Sequence, residues 1–525
     1  METRAAKKRR LIEEENKRNG RRRDRFSDLP DEISHHILSF LPMKSIAQVS
    51  ATSKRWRSLW ASLPILDFSE VCPLTFPFFQ NKSVGQIYDQ QLKVVRFISS
   101  VLSRRHENSN IRFFALAGYV IYAWLHDWMP WLVKYRVEKL VLKVWSRRMC
   151  DFTIPQCLFE FDSLKSLTLE SSNFPCHPPP KPQTTSEEQS RFSSSYYVRD
   201  TGGLRSLRTL SLTKVNLSNV DGDFFSDSSF PLLEELTINF CRRTNPLKIC
   251  CANLKDLQVC KILVDLDISG VKLESLIVKI CFSLSENSEN SENLVNIFAP
   301  NLLTFHWEHN DIAEKSLIQN FPNLRKGIIH QRLLVQFHKV KTHAAVNFLS
   351  ALSQVQNLSV SFHILEILSK VHFEGGLPHS FMNLKTLEVV TSLNKSDVPG
   401  IACLFKSSPV VQTLNMAISS IHTLANDRWN NILLDRAGCS EEQFWESQAQ
   451  TLSPFLCHLK LVNLRVADPM HVVDVARFLL QHGKELQEMV IRVNKAYTIP
   501  AWEYKISIIE GLPRASGVKL SCLIN

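Results

Sequence analysis

The pattern apolar-x-x-apolar-x-apolar recurs along most of this 525-residue chain and limits what it can fold into. Copies begin at Val137, Leu164, Leu207, Leu233, Leu254, Leu273 and Leu302, and later at Val355, Leu384, Val411, Leu456 and Leu486. A weaker copy lies near Leu324. Each fits a short strand whose alternate residues face one side. One such strand cannot bury its apolar side, whereas a parallel stack shares a continuous core and leaves the other face open. The starts up to Leu302 are 27, 43, 26, 21, 19 and 29 residues apart. Most of these gaps sit near the roughly 20–29-residue turn of a strand-and-return solenoid. An ordinary α/β domain with leucine-rich strands would not need so many copies. A further match, Leu263/Leu266/Ile268, falls too close to its neighbours to be a separate turn of a regular stack.

Asn253-Leu254, Pro300-Asn301-Leu302, Pro322-Asn323-Leu324 and Asn383-Leu384 read as turns that deliver strands. Three stretches interrupt the pattern. Residues 171–203, rich in proline and serine, and residues 283–293, which repeat Ser-Glu-Asn, read as disordered insertions. Residues 417–453 contain Trp429 and Trp445 and read as a partly ordered one. The polar positions flanking the strand leucines, such as Ser166, Thr168, Thr209, Ser211, Glu235 and Thr237, are candidate contacts for a bound target. Most positions of this kind on a solenoid are solvated strand surface.

The net charge of +11 is concentrated. Residues 1–25 hold eleven basic and five acidic side chains, so +6 belongs to this stretch. It reads as a disordered basic tail over residues 1–23. Lys7-Lys8-Arg9-Arg10, a spacer and Arg21-Arg22-Arg23 resemble a two-part nuclear import signal. Aromatic residues do not interleave with these charges, which disfavours nucleic-acid binding. The charged N-terminal stretch does not read as a secretory signal. Phe113–Leu125 is the most apolar run, but it is too short against the ~20 residues that span a bilayer, so it reads as a buried strand or helix.

Thirteen cysteines include no Cys-x-x-Cys pair, and Cys241, Cys250, Cys251 and Cys260 lack zinc-finger spacing, so free thiols are expected. His306-Trp307-Glu308-His309 is a weak ligand pair, because residues three apart on a strand face opposite sides. Neither a metal nor a cofactor is expected. No phosphate-binding glycine loop, nucleophile elbow or acid–base constellation appears, and only 15 glycines are present. The chain does not read as an enzyme.

Residues 24–70 form a different kind of unit. Pro30 and Asp31 suit a helix start, and Ile33, Ile37, Leu38 and Leu41 share one helical face. Pro42 ends that helix, and a short second helix fits around Ile46 and Val49. Ser53 is a candidate N-cap for a third, which carries Trp56, Leu59, Trp60 and Leu63 on one stripe. A tryptophan ring buries roughly 150–250 Å². Three short helices offer such rings little shelter, so they pack either on the rest of the chain or on a partner.

Leu29-Pro30-Asp31-Glu32-Ile33, His36-Ile37-Leu38-Ser39-Phe40-Leu41-Pro42 and Ser53-Lys54-Arg55-Trp56-Arg57-Ser58-Leu59-Trp60 resemble the F-box of large plant families. The resemblance implies docking on the Skp-family adaptor of a cullin-based ubiquitin ligase. Carried over, the contact set is Leu29, Pro30, Ile33, Ile37, Leu38, Leu41, Ile46, Val49, Trp56 and Trp60. Val49-Ser50-Ala51-Thr52 departs from the pattern, since relatives often carry bulkier apolar residues there. The repeats resemble leucine-rich repeats. The segment from Trp124, Trp128 and Trp131 to Val137-Glu138-Lys139-Leu140 resembles the start of their first turn. Cys457–Val462, Val473–Leu480, Gln481-His482-Gly483, Leu486–Ile491 and Pro513-Arg514-Ala515-Ser516 resemble the FBD region that closes many such plant proteins. Here it reads as strand–helix–strand, with Val473, Ala476, Leu479 and Leu480 on the helix face.

The expected architecture is therefore of the α/β class: a small three-helix F-box, an irregular leucine-rich-repeat solenoid over residues 71–450, and a capping region over 451–525. The expected role is a non-catalytic, intracellular (nuclear or cytoplasmic) substrate-recognition subunit. It would hold an unknown target near a charged ubiquitin-conjugating enzyme, with proximity as its contribution. Two other readings are a ligand-dependent co-receptor in the same assembly and an adaptor-independent nuclear scaffold.

Overall fold

A computed structural model describes residues 29–71, 84–119, 122–145, 152–153, 158, 161–171, 176–177, 204–215, 217, 222–243, 245–262, 264–282, 294–310, 312, 317–330, 342–419, 434, 438–467, 472–493, 499–515 and 517–524. The chain divides into two compact units, residues 1–174 and 175–525. The basic tail, the Ser-Glu-Asn stretch and most of 171–203 lie outside the described residues.

In the first unit three short helices come first: α1 (Asp31–Leu38), α2 (Met43–Ser50) and α3 (Lys54–Ala61). Parallel strands follow at Ile65–Asp67, Phe113–Tyr119, Lys139–Trp145 and Ser166–Ser171, with long helices at Val84–Ser103 and Tyr122–Lys134 between them. Leu66, Phe114, Leu140 and Leu167 stand opposite one another in register and are all buried. The apolar run Phe113–Leu125 is thus a buried strand and the first turn of the next helix. Among the described residues no helix is long and apolar enough to cross a membrane.

In the second unit a parallel main sheet runs from Thr209–Thr213 to Lys519–Ile524, taking its strands in sequence order. Its early layers repeat one register: Leu236, Leu257, Leu276 and Phe305 stand side by side, as do Ile238, Val259, Val278 and Trp307. All are essentially inaccessible. The alternate residues of the same strands are half-buried or exposed, the alternation expected of a sheet with one buried face.

What backs the main sheet changes along the chain. From Phe225 to Ile318 the return segments are short strands that form a second, five-stranded parallel sheet. In it Leu247, Leu266 and Val295 align, as do Ile249, Ile268 and Ile297. Here lies the reason for the crowded match at Leu263/Leu266/Ile268: Leu266–Ser269 is a return strand, not a further turn. From Thr342 onward the returns carry helices, including Thr342–Ala351, Phe362–Phe373 and Val398–Lys406. A helix advances only about 1.5 Å per residue against ~3.3 Å for a strand, so helical returns need more sequence. That accounts for the longer gaps in the later copies.

Two devices join successive turns. Residues at Lys214, Phe240, Lys261, Ile280 and His309 take φ between 50° and 57° although none is glycine. Four of their amides donate to the end of the next strand, at Asn239, Cys260, Lys279 and Glu308, over 2.8–3.0 Å; that of His309 donates to His330. A left-handed residue costs about 1–2 kcal/mol, which the recurring bond offsets. The asparagines before the strands form the second device: Asn253 Nδ2 donates to Pro231 O and Asn301 Nδ2 to Val271 O, each at 2.8 Å. Their turn role is legible in sequence, whereas the bond to the preceding turn is not.

Asn310 is the most enclosed link of this kind. Its Oδ1 accepts from the amides of Cys281 (2.6 Å) and Phe282 (3.2 Å), and its Nδ2 donates to Val278 O (2.7 Å). Asn310→Ala leaves two buried N–H groups, those of Cys281 and Phe282, without their acceptor, at about 1–3 kcal/mol each. The expected result is a lower melting temperature and faster hydrogen exchange at the Cys281 and Phe282 amides than at Leu414. Unchanged exchange there would remove Asn310 as a brace.

The closing segment is strand–helix–strand: Leu461–Val466, Val472–His482 and Glu488–Val493, followed by Ile499–Glu510 and Lys519–Ile524. The helix Val472–His482 buries Val472, Val475, Ala476, Phe478, Leu479 and Leu480. Of the expected face, Ala476, Leu479 and Leu480 are thus buried, while Val473 is only half-buried. Within 417–453, Glu441–Gln448 is a helix with a Ser440/Gln443 capping box, and Trp445 is buried beside Phe405 and Phe478.

Candidate functional site

The helices α1–α3 are short, and each is started by the sequence. Pro30 (φ −55°, ψ 150°) precedes α1, and Asp31 and Glu32 sit at the positive end of its dipole. Pro42 ends the turn after α1 and also opens α2, where Ile46 N donates to Pro42 O over 3.1 Å. Ser53 caps α3, its Oγ accepting from Trp56 N at 3.1 Å. His35 Nε2 lies 3.1 Å from Leu59 O and 3.2 Å from Ser62 Oγ, which ties α1 to α3. Arg55 Nη2 donates to Leu29 O and reaches Asp31 Oδ1 at 3.4 Å, which fixes the Leu29-Pro30 dipeptide against α3.

This packing sorts the ten F-box candidates into two groups. Leu38, Ile46 and Trp60 are buried with Ser34, Met43, Leu59 and Leu63. Trp60 lies beside Phe97 of Val84–Ser103 (6.4 Å between centroids), and Phe97 in turn meets Phe68. Trp60 therefore packs inward on its own unit and is not offered as a free ring. Arg105, nearly buried, donates from Nη1 to Leu63 O at 2.8 Å, and burial lowers its guanidinium to about 10. The second group points outward: Ile33 is 47% exposed, Ile37 37% and Leu41 41%. Pro30 is exposed, and Leu29, Val49 and Trp56 are half-buried.

Phe40, 74% exposed, belongs to this outward row but not to the contact set carried over from the resemblance. The signal was present: Ile33, Ile37 and Phe40 follow i, i+4, i+7. Soluble proteins rarely leave four large apolar side chains together in water without a use for them.

Of the candidate target contacts, Ser166, Thr168, Thr209, Ser211 and Thr237 are half-buried on outward strand positions, and Glu235 is exposed. The register sets Thr209 opposite Glu235 and Ser211 opposite Thr237, and Thr209 Oγ1 donates to Glu235 Oε2 at 3.2 Å. Further along the same face Glu308 accepts from Lys279 Nζ (3.1 Å) and lies 3.3 Å from His306 Nδ1, while His330 Nε2 meets Ser359 Oγ (2.9 Å). Burial holds both imidazoles below their usual range.

No group of His, Cys, Asp or Glu among the described residues converges as a metal site. Cys241, Cys250, Cys251 and Cys260 are free thiols, and burial pushes Cys241 and Cys251 up to about 12. The import-signal residues Lys7, Lys8, Arg9, Arg10, Arg21, Arg22 and Arg23 lie outside the described residues.

The F-box domain model matches residues 26–68. Over 507 residues the chain is 35% identical to the Arabidopsis thaliana putative F-box/FBD/LRR-repeat protein At4g03220, covering 94% of this chain and 93% of that protein. It is 24% identical to the Arabidopsis thaliana F-box/LRR-repeat protein At5g02910 over 89% of this chain and 88% of the relative. A match to the Arabidopsis thaliana F-box/LRR-repeat protein 25, at 30% identity, covers 42% of this chain and 68% of the relative. With an F-box at its start, a parallel strand solenoid behind it and a full-length relative of this identity, the chain belongs to the plant F-box/leucine-rich-repeat proteins that carry an FBD region.

Proposed function

We propose that this chain is the substrate-recognition subunit of a Skp-adaptor–cullin–F-box ubiquitin ligase. The F-box holds the Skp-family adaptor and, through it, the cullin. The repeat unit holds a target protein. No residue of the chain does covalent chemistry; its contribution is to raise the concentration of a target lysine near the charged conjugating enzyme. The observation that carries this reading is the outward row of Ile33 and Ile37 on α1 and Phe40 and Leu41 in the turn after it, where the opposite side of α1 is already packed. Leu29, Pro30, Val49 and Trp56 form the rest of the docking surface, while Leu38, Ile46 and Trp60 support it from beneath.

The test is affinity capture under proteasome inhibition, comparing the intact chain with an Ile33→Asp/Ile37→Asp variant. The intact chain is expected to retain the adaptor and cullin, and the variant to lose both. Targets would be proteins held by both forms whose ubiquitin conjugates appear only with the intact chain. Equal adaptor recovery with both forms would overturn the reading.

A further inference from the structure

Toward the end of the repeat unit the outward face of the main sheet carries two arginines side by side. Arg465 and Arg492 are register partners on the adjacent parallel strands Leu461–Val466 and Glu488–Val493. Like charges placed opposite one another destabilise a sheet, so their pairing asks for a reason. Neither guanidinium meets a carboxylate among the described residues. Arg465 is exposed and makes no hydrogen bond there; Arg492 donates only to Asn463 Oδ1, at 3.4 Å. Asn463 in turn donates to Asn415 Oδ1 at 2.9 Å, so a side-chain chain across three strands steadies Arg492.

The position next to Arg465 on the third strand is Ala417. Its small side chain leaves room: a concavity of about 540 Å³ opens there, bordered by Ala417, Ile418, Arg465, Ala467, Arg492 and Val493. That volume falls within the ~300–1,000 Å³ range of ligand clefts. Arg465 and Arg492 both border it, and a planar, permanently charged guanidinium is the side-chain group suited to holding an oxyanion bidentately.

We propose that this concavity receives an acidic side chain, carboxylate or phosphorylated, from an extended segment of the target protein. The inference rests on the substrate-recognition reading above and names the chemistry of the segment recognised. Arg465 and Arg492 clamp the oxyanion.

The test uses the full chain in complex with its adaptor and a displayed library of short random peptides, in unmodified and serine-phosphorylated forms. Selected peptides are expected to be rich in Asp and Glu or in phosphoserine. Their binding should weaken with added salt and fall about ten- to a hundredfold in Arg465→Ala/Arg492→Ala. Arg465→Lys/Arg492→Lys should retain part of the affinity, because charge survives while the fork is lost. Enrichment in one library alone identifies which oxyanion is read. No acidic enrichment in either library, the same enrichment on the alanine variant, or competition by inorganic phosphate without peptide binding would each overturn the proposal. Adaptor binding is read in the same preparation, so its loss reports on the F-box and not on the arginines.

Discussion

Ile33→Asp/Ile37→Asp is expected to abolish adaptor binding while leaving the melting profile of the chain almost unchanged. Both side chains are more than a third exposed, so the free protein gains little from them. In a docked complex each would be buried, for about 1.5–3 kcal/mol. Replacing both with carboxylates removes that gain and adds the cost of desolvating two charges. The affinity loss should exceed roughly 4 kcal/mol, close to a thousandfold. Trp60→Ala should behave in the opposite way. It removes a ring packed against Phe97, costs about 3–5 kcal/mol of folding stability, and touches docking only through the helices it supports. Titration calorimetry with a purified Skp-family adaptor, run beside thermal melts, separates the two. Tight binding by the Ile33→Asp/Ile37→Asp protein would refute the docking surface. Phe40→Ala should weaken binding on its own, with no change in melting.

The sequence made the stacked strands legible because their signal is dense: each turn must supply alternate apolar residues to one face, and Leu236, Leu257, Leu276 and Phe305 do so in register. The return segments were harder to read. Leu266 and Ile268 match the main-sheet pattern by themselves, and only the position of their neighbours places them in the second sheet. In the F-box, helical periodicity groups Ile33, Ile37, Leu38 and Leu41 on one face, yet Leu38 is buried and the others are not. An eight-residue helix packed by one side against α3 has an inner and an outer edge to its apolar stripe. Periodicity does not distinguish these edges, since both are apolar. The fate of Trp60 depended on Phe97, 37 positions away in sequence and invisible to any local pattern. The Arg465–Arg492 pair was hidden for the same reason: the register of two strands sets them together across an intervening helix.

Gly400→Ala is expected to unfold much of the helix-backed half of the repeat unit, against the ordinary sign of such a change. In a helix interior alanine is favoured over glycine by about 1 kcal/mol. Gly400 lies in Val398–Lys406, a helix whose first eight residues are all buried. A Cβ built there would stand 2.7 Å from the carbonyl carbon of Leu365 and 3.0 Å from its Cα, so it meets backbone and no flexible side-chain end. Nor can the helices slide apart freely. Gly400 N donates to Ser369 Oγ at 2.8 Å, and that hydroxyl also serves the carbonyls of Leu365 and Ser396. Separating Phe362–Phe373 from Val398–Lys406 breaks the bonds that join Ser369 Oγ to Gly400 N and Ser396 O, and opens the core around Leu365, Leu368 and Ile401, all buried. The net loss should be about 3 kcal/mol or more, where overpacking alone costs ~1–3. Gly85, helical but with nothing within 4 Å of a built Cβ, provides the control: Gly85→Ala should be neutral or slightly stabilising. In a stack where each turn contacts its neighbours, a break at Gly400 should spread to adjacent turns before distant ones. Hydrogen exchange should then show lost protection in Asn357–Ser361, Thr386–Thr391 and Thr413–Ile418, with Leu236–Ile238 retained. A Gly400→Ala protein as stable as the parent would mean that the two helices can separate without cost, and the close approach would carry no structural weight.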